Sequence, residues 1–270
     1  MWKYRIFLEA QSDINLSHTD LRIFARGLHR TVINWFNIQD TELTSKIKEN
    51  NTLRPFNISF LRFDNDKKLY FFEICIINEK LGLNKLLEDS ISNSVKDEEI
   101  IDLNYSKFKV NSWNLLISKN YFELIEIVSK KKDFKPIKID FISETCFVKK
   151  YQHNSKATFP LPDPELFFES VVNRWNTFSL SKFSIDEVIE YVKQNVFISH
   201  VNIKSDTFCI GYAKERPIFI TGFKGSIILE QVLKDPSWDS ILKTLSLYSS
   251  WSSVGKKSAF GLGQTRVNLF

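Results

Sequence analysis

A histidine and three arginines share one face of the first helix that the sequence predicts. They stand at positions i, i+4, i+7 and i+8: Arg22, Arg26, His29 and Arg30. Neighbouring guanidinium groups disfavour a further positive charge, so they should keep the imidazole neutral until an anionic substrate arrives. A neutral imidazole beside a phosphate can take or give a proton, which makes His29 a candidate acid or base. The alternative is a histidine that is simply solvated on the polar face of a surface helix.

Glycine and lysine are concentrated in one stretch close to residue 270. Three of the eight glycines fall within nine residues there, together with two lysines and a serine: Gly255, Lys256, Lys257, Ser258, Gly261 and Gly263. A Walker A loop is excluded, because Ser250 replaces its first glycine and Lys257 its Ser/Thr. A dinucleotide-binding fingerprint is excluded because Arg266 replaces its third glycine. The spacing fits a loop whose N–H groups and ammonium groups meet a phosphodiester, or else an ordinary solvated turn.

Other catalytic and metal-binding patterns are missing from the sequence. Besides His29 the histidines are His18, His153 and His200, which are too scattered for a recognised metal-ligand spacing. The three cysteines lack a C-x-x-C pair, and no G-x-S-x-G motif supplies a serine nucleophile. We therefore expect neither a metal nor a cofactor.

Composition places few restrictions on the function. With 270 residues, of which 43% are hydrophobic, the chain can bury one large core or two small ones. Lys and Arg number 37 against 32 Asp and Glu, so the net charge of +5 is compatible with an acidic partner without requiring one. The opening residues MWKYRIFLEA lack the apolar segment of a signal peptide, and no apolar run approaches the roughly 18 residues of a membrane helix. We expect a cytoplasmic protein with no membrane partner.

The first half of the chain predicts the element order β-α-β-β-α-β. Alternation over residues 2–9 predicts a strand, and the following helix is expected to begin at Ser17 as N-cap with Asp20 at its third position. The remaining predicted elements are strands over 56–63 and 68–78 joined by a turn at 64–66, a helix over 81–92 and a strand over 108–118. This order is that of a ferredoxin-like domain.

The second half repeats the same order if one short helix is set aside. Asp163 as N-cap and Pro164 at the first helical position predict a sharp helix start. The other predicted elements are a strand over 137–148, a short helix over 185–194, strands over 197–203 and 218–229, a helix over 238–248 and a strand after Gly263. The sequence thus predicts an α+β protein of two tandem ferredoxin-like (RRM-like) domains, residues 1–130 and 131–270.

Several stretches in succession resemble a known family. They are RGLHRTVINW (26–35), LRPFNISFL (53–61), IDFISETCF (139–147), PLPDPELFFESVVNRWN (160–176), ITGFKGSI (220–227) and the final G-x₅-G-x-G. Together they resemble the CRISPR-associated endoribonucleases that cut precursor CRISPR RNA within its repeats, a family of the repeat-associated mysterious protein (RAMP) superfamily. That family has two ferredoxin-like domains and a glycine-rich loop before the last strand.

The resemblance implies roles for individual residues. His29 matches the family's first-helix histidine, and the glycine-rich loop matches Gly255, Gly261 and Gly263, with Lys256 and Lys257 as its basic residues. The family often carries a further glycine two positions earlier, where this chain has Ser253. We expect Ser258 and the arginines Arg22, Arg26 and Arg30 to contact RNA as well. The catalytic partner of the histidine varies in the family, and no residue is assigned to that role here.

The implied reaction is a metal-independent transesterification. The 2′-OH beside the scissile phosphate attacks it, giving a 2′,3′-cyclic phosphate and a free 5′-OH, while the protein orients the chain and moves protons. The expected partners are CRISPR repeat RNA and, further, other CRISPR effector proteins, with the protein a monomer or homodimer. One alternative is a non-catalytic module that holds CRISPR RNA in an effector complex. Another is a basic two-domain protein unrelated to RNA.

Overall fold

The protein's structure, a computed structural model, describes residues 1–12, 14, 19–39, 53–78, 81–103, 106–130, 134–150 and 156–269. Ser17, His18 and His153 lie outside these ranges. The chain forms two compact units. Unit 1 comprises Met1–Ser118, Phe208–Ile220 and Ala259–Gly261, and unit 2 comprises Lys119–Thr207, Thr221–Ser258 and Leu262–Phe270. The domain boundary at residue 130 stays a prediction.

Unit 1 is built on an antiparallel sheet of six strands. They are β1 (Trp2–Ala10), β2 (Phe56–Ile58), β3 (Arg62–Asp64), β4 (Leu69–Ile76), β5 (Ile100–Leu103) and β6 (Ser106–Ser118). The order across the sheet is β2-β4-β1-β6-β5, with β3 paired to β4 beside β2. Alternate residues of β1, namely Tyr4, Ile6 and Leu8, are buried in the core, as the period of two in its sequence predicts. The ferredoxin-like order is therefore present, with β5 as an additional edge strand.

Two helices cover the core face of this sheet. They are α1 (Ala25–Gln39), which continues a 3₁₀ turn (Leu21–Phe24), and α2 (Leu83–Lys96). The apolar face expected of the first helix is buried: Phe24, Leu28, Val32 and Trp35 all belong to the core. Burying that face leaves the opposite side of α1, with His29 and its arginines, away from the core.

The expected start of the first helix is wrong. Asp20 is the N-cap, because its carboxylate accepts the N–H of Arg22 at 3.0 Å. A capping aspartate accepts from the second or third helical residue, so the helical segment begins at Leu21 rather than after Ser17.

Unit 2 carries a second ferredoxin-like set of elements. Its strands are β7 (Ile137–Thr145), β8 (Phe147–Lys150), β9 (Lys156–Phe159), β10 (Val196–Ala213), β11 (Arg216–Gln231) and β12 (Thr265–Leu269). Its helices are α3 (Tyr121–Ser129), α4 (Pro164–Phe178), α5 (Ile185–Asn195) and α6 (Pro236–Ser252). A 3₁₀ turn (Ser258–Phe260) follows α6, and its last two residues belong to unit 1. The order β10-β11-β7-β12 is again ferredoxin-like, and β8 pairs with β9 as a separate hairpin. The predicted α+β class is confirmed.

Local chemistry explains where α4 begins and where the strand predicted over 137–148 breaks. The Asp163 carboxylate accepts the N–H of Leu166 at 3.1 Å with Pro164 at the first helical position, which confirms the predicted start. Cys146 separates β7 from β8, and its carbonyl accepts the N–H of Lys256 at 2.9 Å instead of a ladder partner. The prediction missed α3, although Asn120 and Glu123 form a capping box at its start.

The hairpin of β10 and β11 is longer than predicted and divides between the two units. Residues 208–220, which contain its turn, belong to unit 1. Lys214 and Glu215 at the turn have φ of 46° and 64°, as a two-residue type I′ turn requires. Within the described ranges, no helix combines the length and apolar character needed to cross a membrane.

Candidate functional site

A cleft in unit 1 contains the candidate histidine. It has a volume of about 440 Å³ and is lined by Arg26, Gly27, His29, Arg30, Ile33, Asn34, Arg54, Tyr212 and Phe260. Three of the four residues on the predicted face of α1, namely Arg26, His29 and Arg30, line the cleft, together with Asn34 of the same helix. Arg54 comes from the segment before β2, Tyr212 from β10 and Phe260 from the 3₁₀ turn before β12. All of these residues lie in unit 1.

Aromatic rings enclose the imidazole of His29. The ring of Phe260 stacks on it with centroids 4.3 Å apart and planes inclined by 21°, and the ring of Phe56 lies 6.2 Å away at 27°. Burial lowers the pKa of His29 to about 4, and the charges of Arg54 and then Arg26 contribute to the same shift. The sequence predicted a neutral imidazole because of the arginines. The structure keeps the imidazole neutral mainly because the cleft removes it from water.

The cationic side chains of the cleft differ in their surroundings. Arg54 is half-buried, and that burial lowers the pKa of its guanidinium. Arg30 is exposed, and its Nη2 donates to the backbone carbonyl of Asp102 at 3.1 Å. Arg26, which is also half-buried, completes a group of three guanidiniums beside a neutral imidazole. This arrangement suits a phosphodiester, because guanidiniums bind phosphate oxygens and the imidazole can exchange a proton.

Arg22, which the sequence predicts to contact RNA, does not line the cleft. Its Nη2 lies 2.7 Å from Oδ2 of Asp20, and its Nε donates to both carboxylate oxygens at 2.9 Å. Its guanidinium also lies over the ring of Phe208, 4.2 Å from the centroid. The structure therefore groups Arg26 and Arg30 with His29 and places Arg22 in an ion pair of its own.

In unit 2, two glycines of the glycine-rich loop are needed for packing within the protein. Gly255 and Gly263 have φ of 70° and 73°. A Cβ on Gly255 would lie 2.4 Å from the carbonyl oxygen of Cys146, and one on Gly263 would lie 1.8 Å from that of Val254. Both distances are below any that a real Cβ adopts. Packing within the protein therefore requires glycine at both positions, whether or not the loop binds RNA.

Side chains of α4 form hydrogen bonds with the same loop. Ser170 Oγ accepts the N–H of Gly255 at 2.8 Å. The buried guanidinium of Arg174 donates from Nη2 to Ser258 Oγ at 2.8 Å and to the Gly255 carbonyl at 3.3 Å. Ser258 is thus buried and bonded to Arg174, whereas Lys256 is exposed and Lys257 half-buried. Of the predicted loop side chains, the two lysines are therefore the more exposed ones.

The final part of the loop joins unit 1. Ala259 is buried in its core, and Phe260 stacks on His29. Gly261 has φ of 94°, and a Cβ there would lie 2.6 Å from the ring of Phe60. The loop and the histidine, which the sequence left as separate candidates, therefore meet through Phe260.

Ser253 occupies a backbone conformation that favours glycine, at φ 56° and ψ 174°. Such strain costs on the order of 1–3 kcal/mol in a residue with a Cβ. We expect the free energy of unfolding of Ser253→Gly to be higher than that of Ser253→Ala by about 1 kcal/mol, because glycine relieves the strain. The difference is smaller than the full strain energy because glycine also makes the unfolded chain more flexible. Urea denaturation of the two variants measures the difference. Equal stability, or a more stable alanine variant, would contradict the strain argument.

Sequence reasoning missed the three lining residues that come from outside α1, and two of them carried a signal. Arg54 lies in the LRPF stretch that supports the family resemblance, and Phe260 lies directly before Gly261. Tyr212 had no signal, because the fold alone brings the turn of a distant hairpin to this cleft. His200 lies exposed on β10 and does not line the cleft. In the part of the chain that the structure describes, no group of three or more His, Cys, Asp or Glu is placed to hold a metal ion.

Comparisons with known proteins show what part of the sequence and the fold resemble. Residues 139–265 match the model of the CRISPR-associated endoribonuclease Cas6 family. No curated protein matches the sequence. Among solved structures, a Cas6 (TTHB231) product complex from Thermus thermophilus has a TM-score of 0.77 at 16% identity, covering 99% of this chain and 100% of that chain.

Two further solved structures extend the similarity. A RAMP protein described as binding different RNA substrates has a TM-score of 0.62 at 10% identity, covering 100% of both chains. A Cas6-related protein from Pyrococcus furiosus has a TM-score of 0.61 at 11% identity, covering 99% of this chain and 98% of that chain. The resemblance seen in the sequence is thereby confirmed: residues 139–265 match the Cas6 endoribonuclease family, and the whole chain has the fold of Cas6 and related RAMP proteins.

Proposed function

We propose that this protein is an endoribonuclease that processes CRISPR RNA by cutting precursor transcripts within their repeats. The observation that carries the proposal is the cleft of unit 1, in which a neutral imidazole lies among three guanidiniums. The match of residues 139–265 to the Cas6 family supports the substrate class. Solved Cas6 proteins of the same fold include product and substrate-mimic complexes, which is consistent with an RNA substrate.

We infer that the reaction is an in-line attack by the RNA's own 2′-OH. A bond forms between O2′ and phosphorus while the bond from phosphorus to O5′ breaks, leaving a 2′,3′-cyclic phosphate and a 5′-OH. His29 is unprotonated near neutral pH, so it can accept the proton of the 2′-OH. The proton is then returned to the departing 5′-oxygen, so that no water is consumed and the charges balance.

The arginines have two roles in this proposal. Arg26, Arg30 and Arg54 bind the scissile phosphate and stabilise the negative charge that develops on its oxygens. The bound phosphate also offsets their repulsion of a protonated His29, because an adjacent negative charge raises the pKa of an imidazole. Lys256 and Lys257 of the glycine-rich loop are proposed contacts for the RNA backbone away from the scissile bond.

The alternative of a non-catalytic RNA-binding module has support from the same cleft. Three guanidiniums suffice to hold a phosphate without any proton transfer. Under this alternative the wild-type protein binds repeat RNA and leaves it intact.

A single 2′-deoxy substitution in the RNA tests the proposed chemistry. We expect wild-type protein in EDTA to cut a repeat RNA at one position, and to fail when the nucleotide 5′ of the cut lacks its 2′-OH. A 2′-deoxy substitution one nucleotide further along is the matched control and should be cut normally. Cleavage that persists without the adjacent 2′-OH would exclude the in-line mechanism, and a dependence on divalent cations would exclude its metal independence. If the wild-type protein binds the unsubstituted repeat RNA and leaves it intact, the non-catalytic module would be favoured.

A further inference from the structure

Phe260 is the closest aromatic neighbour of His29 among the described ring pairs. Its ring lies 4.3 Å from the imidazole at an inclination of 21°, which is a stacked geometry. Phe260 itself lines the cleft and is half-buried, so it is not simply a member of the core. Stacking occupies a face of the imidazole and leaves the plane of the ring available. Both nitrogens exchange protons and hydrogen bonds in that plane.

The backbone of the glycine-rich loop fixes where Phe260 lies. Ala259 on one side is 5% exposed and packs in the core of unit 1. Gly261 on the other side has φ of 94° and sits so close to Phe60 that a Cβ would come within 3.0 Å of the Phe60 backbone nitrogen. Neighbours held in this way leave Phe260 little freedom to move from the imidazole. The placement is therefore built into the fold of the loop.

We propose that Phe260 is a positioning residue for His29, whose ring sets the plane of the imidazole and shields it from water. The proposal rests on the proposed function, in which His29 exchanges a proton with the RNA. A fixed ring plane directs the in-plane nitrogens of His29 into the cleft, where the three arginines bind the phosphate. Because the stacked ring excludes water, it also keeps the imidazole in its neutral form.

The described charged groups that shift the pKa of His29, Arg54 and Arg26, both favour this neutral form. Arg26 and Arg30 come from its own helix, Arg54 from the segment before β2 and Tyr212 from β10. Among the described residues that line the cleft, none is a carboxylate that would stabilise an imidazolium. The burial that Phe260 provides thus acts in the same direction as the arginine charges.

NMR titration of the histidine side chains tests the pairing without any RNA. His29 is assigned by comparison with His29→Ala, and its titration is then followed in wild type, Phe260→Ala and Phe260→Tyr. We expect a wild-type pKa well below 6.5, a pKa that moves up toward 6.5 in Phe260→Ala, and a nearly wild-type value in Phe260→Tyr, which keeps the ring. Phe63→Ala is the matched control, because Phe63 packs against the core of unit 1 and its ring contacts that of Tyr70, at an inclination of 59°, rather than the imidazole of His29. An unchanged His29 titration in Phe260→Ala would overturn the proposal.

Kinetics with repeat RNA test the positioning role. We expect kcat for cleavage to fall on the order of 10- to 100-fold in Phe260→Ala, with KM within about twofold of wild type, because the imidazole is misaligned while the phosphate contacts remain. The pH profile of kcat/KM, which reports the protein without bound RNA, should also change: the wild-type value stays nearly constant from pH 7 to pH 5, whereas that of the variant falls as its imidazole becomes protonated. Phe260→Tyr should restore both properties.

A second substitution separates the two effects of the ring. Phe260→Leu keeps an apolar cover over His29 but removes the flat ring, so we expect most of the kcat loss with only a small change in the His29 titration. A rise in KM with an unchanged kcat would show that Phe260 contacts RNA instead, and would overturn the positioning role. If wild-type protein cuts no RNA while Phe260→Ala still shifts the His29 titration, the proposed function fails and the pairing of the two rings stands.

Discussion

Replacing His29 with alanine is expected to slow cleavage of repeat RNA by about 10²–10⁴-fold, the usual contribution of a general acid or base. RNA binding should change by only a few-fold, because the arginines that hold the phosphate remain in place. Alanine also suits the interior of α1, so the fold should persist. Single-turnover cleavage in EDTA, together with a gel-shift titration of the same RNA, separates the two effects.

The control for His29 is the exposed histidine of β10. His200→Ala removes an imidazole without altering the cleft, and we expect cleavage at the wild-type rate. A His29→Ala protein that cuts within twofold of wild type would remove His29 from the proposed mechanism. If neither the His29→Ala nor the His200→Ala variant shifts the RNA in a gel at low salt, the alternative of a basic protein unrelated to RNA would be favoured instead.

Replacing Arg54 with alanine is expected to lower cleavage by about 10²–10³-fold, as loss of a group that stabilises transition-state charge does in other enzymes. Arg54 is half-buried in the cleft, and its charge contributes more than that of Arg26 to the lowered pKa of His29. Its loss should therefore also raise the pKa of His29, so cleavage should decline between pH 7 and pH 5 in the variant. Phosphate binding should weaken as well, with the slope of log K against log salt reduced by about one.

Two further variants sharpen this test. Arg54→Lys keeps the charge but not the planar fork, so we expect partial activity and a His29 pKa close to the wild-type value. Arg22→Ala is the matched control. Its guanidinium pairs with Asp20 and lies over Phe208, so its loss should have the smaller effect. An Arg22→Ala variant that is as impaired as Arg54→Ala would show that the RNA path includes Arg22, as the sequence predicted, and that the cleft alone does not explain binding.

The sequence predicted the elements with strong local signals. The buried apolar face of α1 and the capped start of α4 at Asp163 were confirmed, because helix periodicity and capping depend on residues only a few positions apart. The predicted start of the first helix was wrong, because Ser17 and Asp20 are both good capping residues. Only the observed hydrogen bond selects Asp20. The order of strands in each ferredoxin-like set followed from their order along the chain.

Other parts of the site depended on contacts between residues far apart in the chain. The spacing along α1 placed Arg26, His29 and Arg30 together, whereas Arg54, Tyr212 and Phe260 reach the same cleft only through the fold. The structure also gives the predicted loop residues different roles. The three glycines have packing reasons within the protein, Ser258 is bonded to Arg174, and the lysines remain the proposed RNA contacts.

By itself, the sequence determined that His29 lies on a basic helical face and that its imidazole should be neutral. Helical spacing fixes the first property, and the nearby arginines suggest the second. Only the tertiary structure decided why the imidazole is neutral, because burial under Phe260 and beside Arg54 depends on segments that are distant in sequence. Desolvation is a property of a folded environment, and a linear pattern of residues does not contain it.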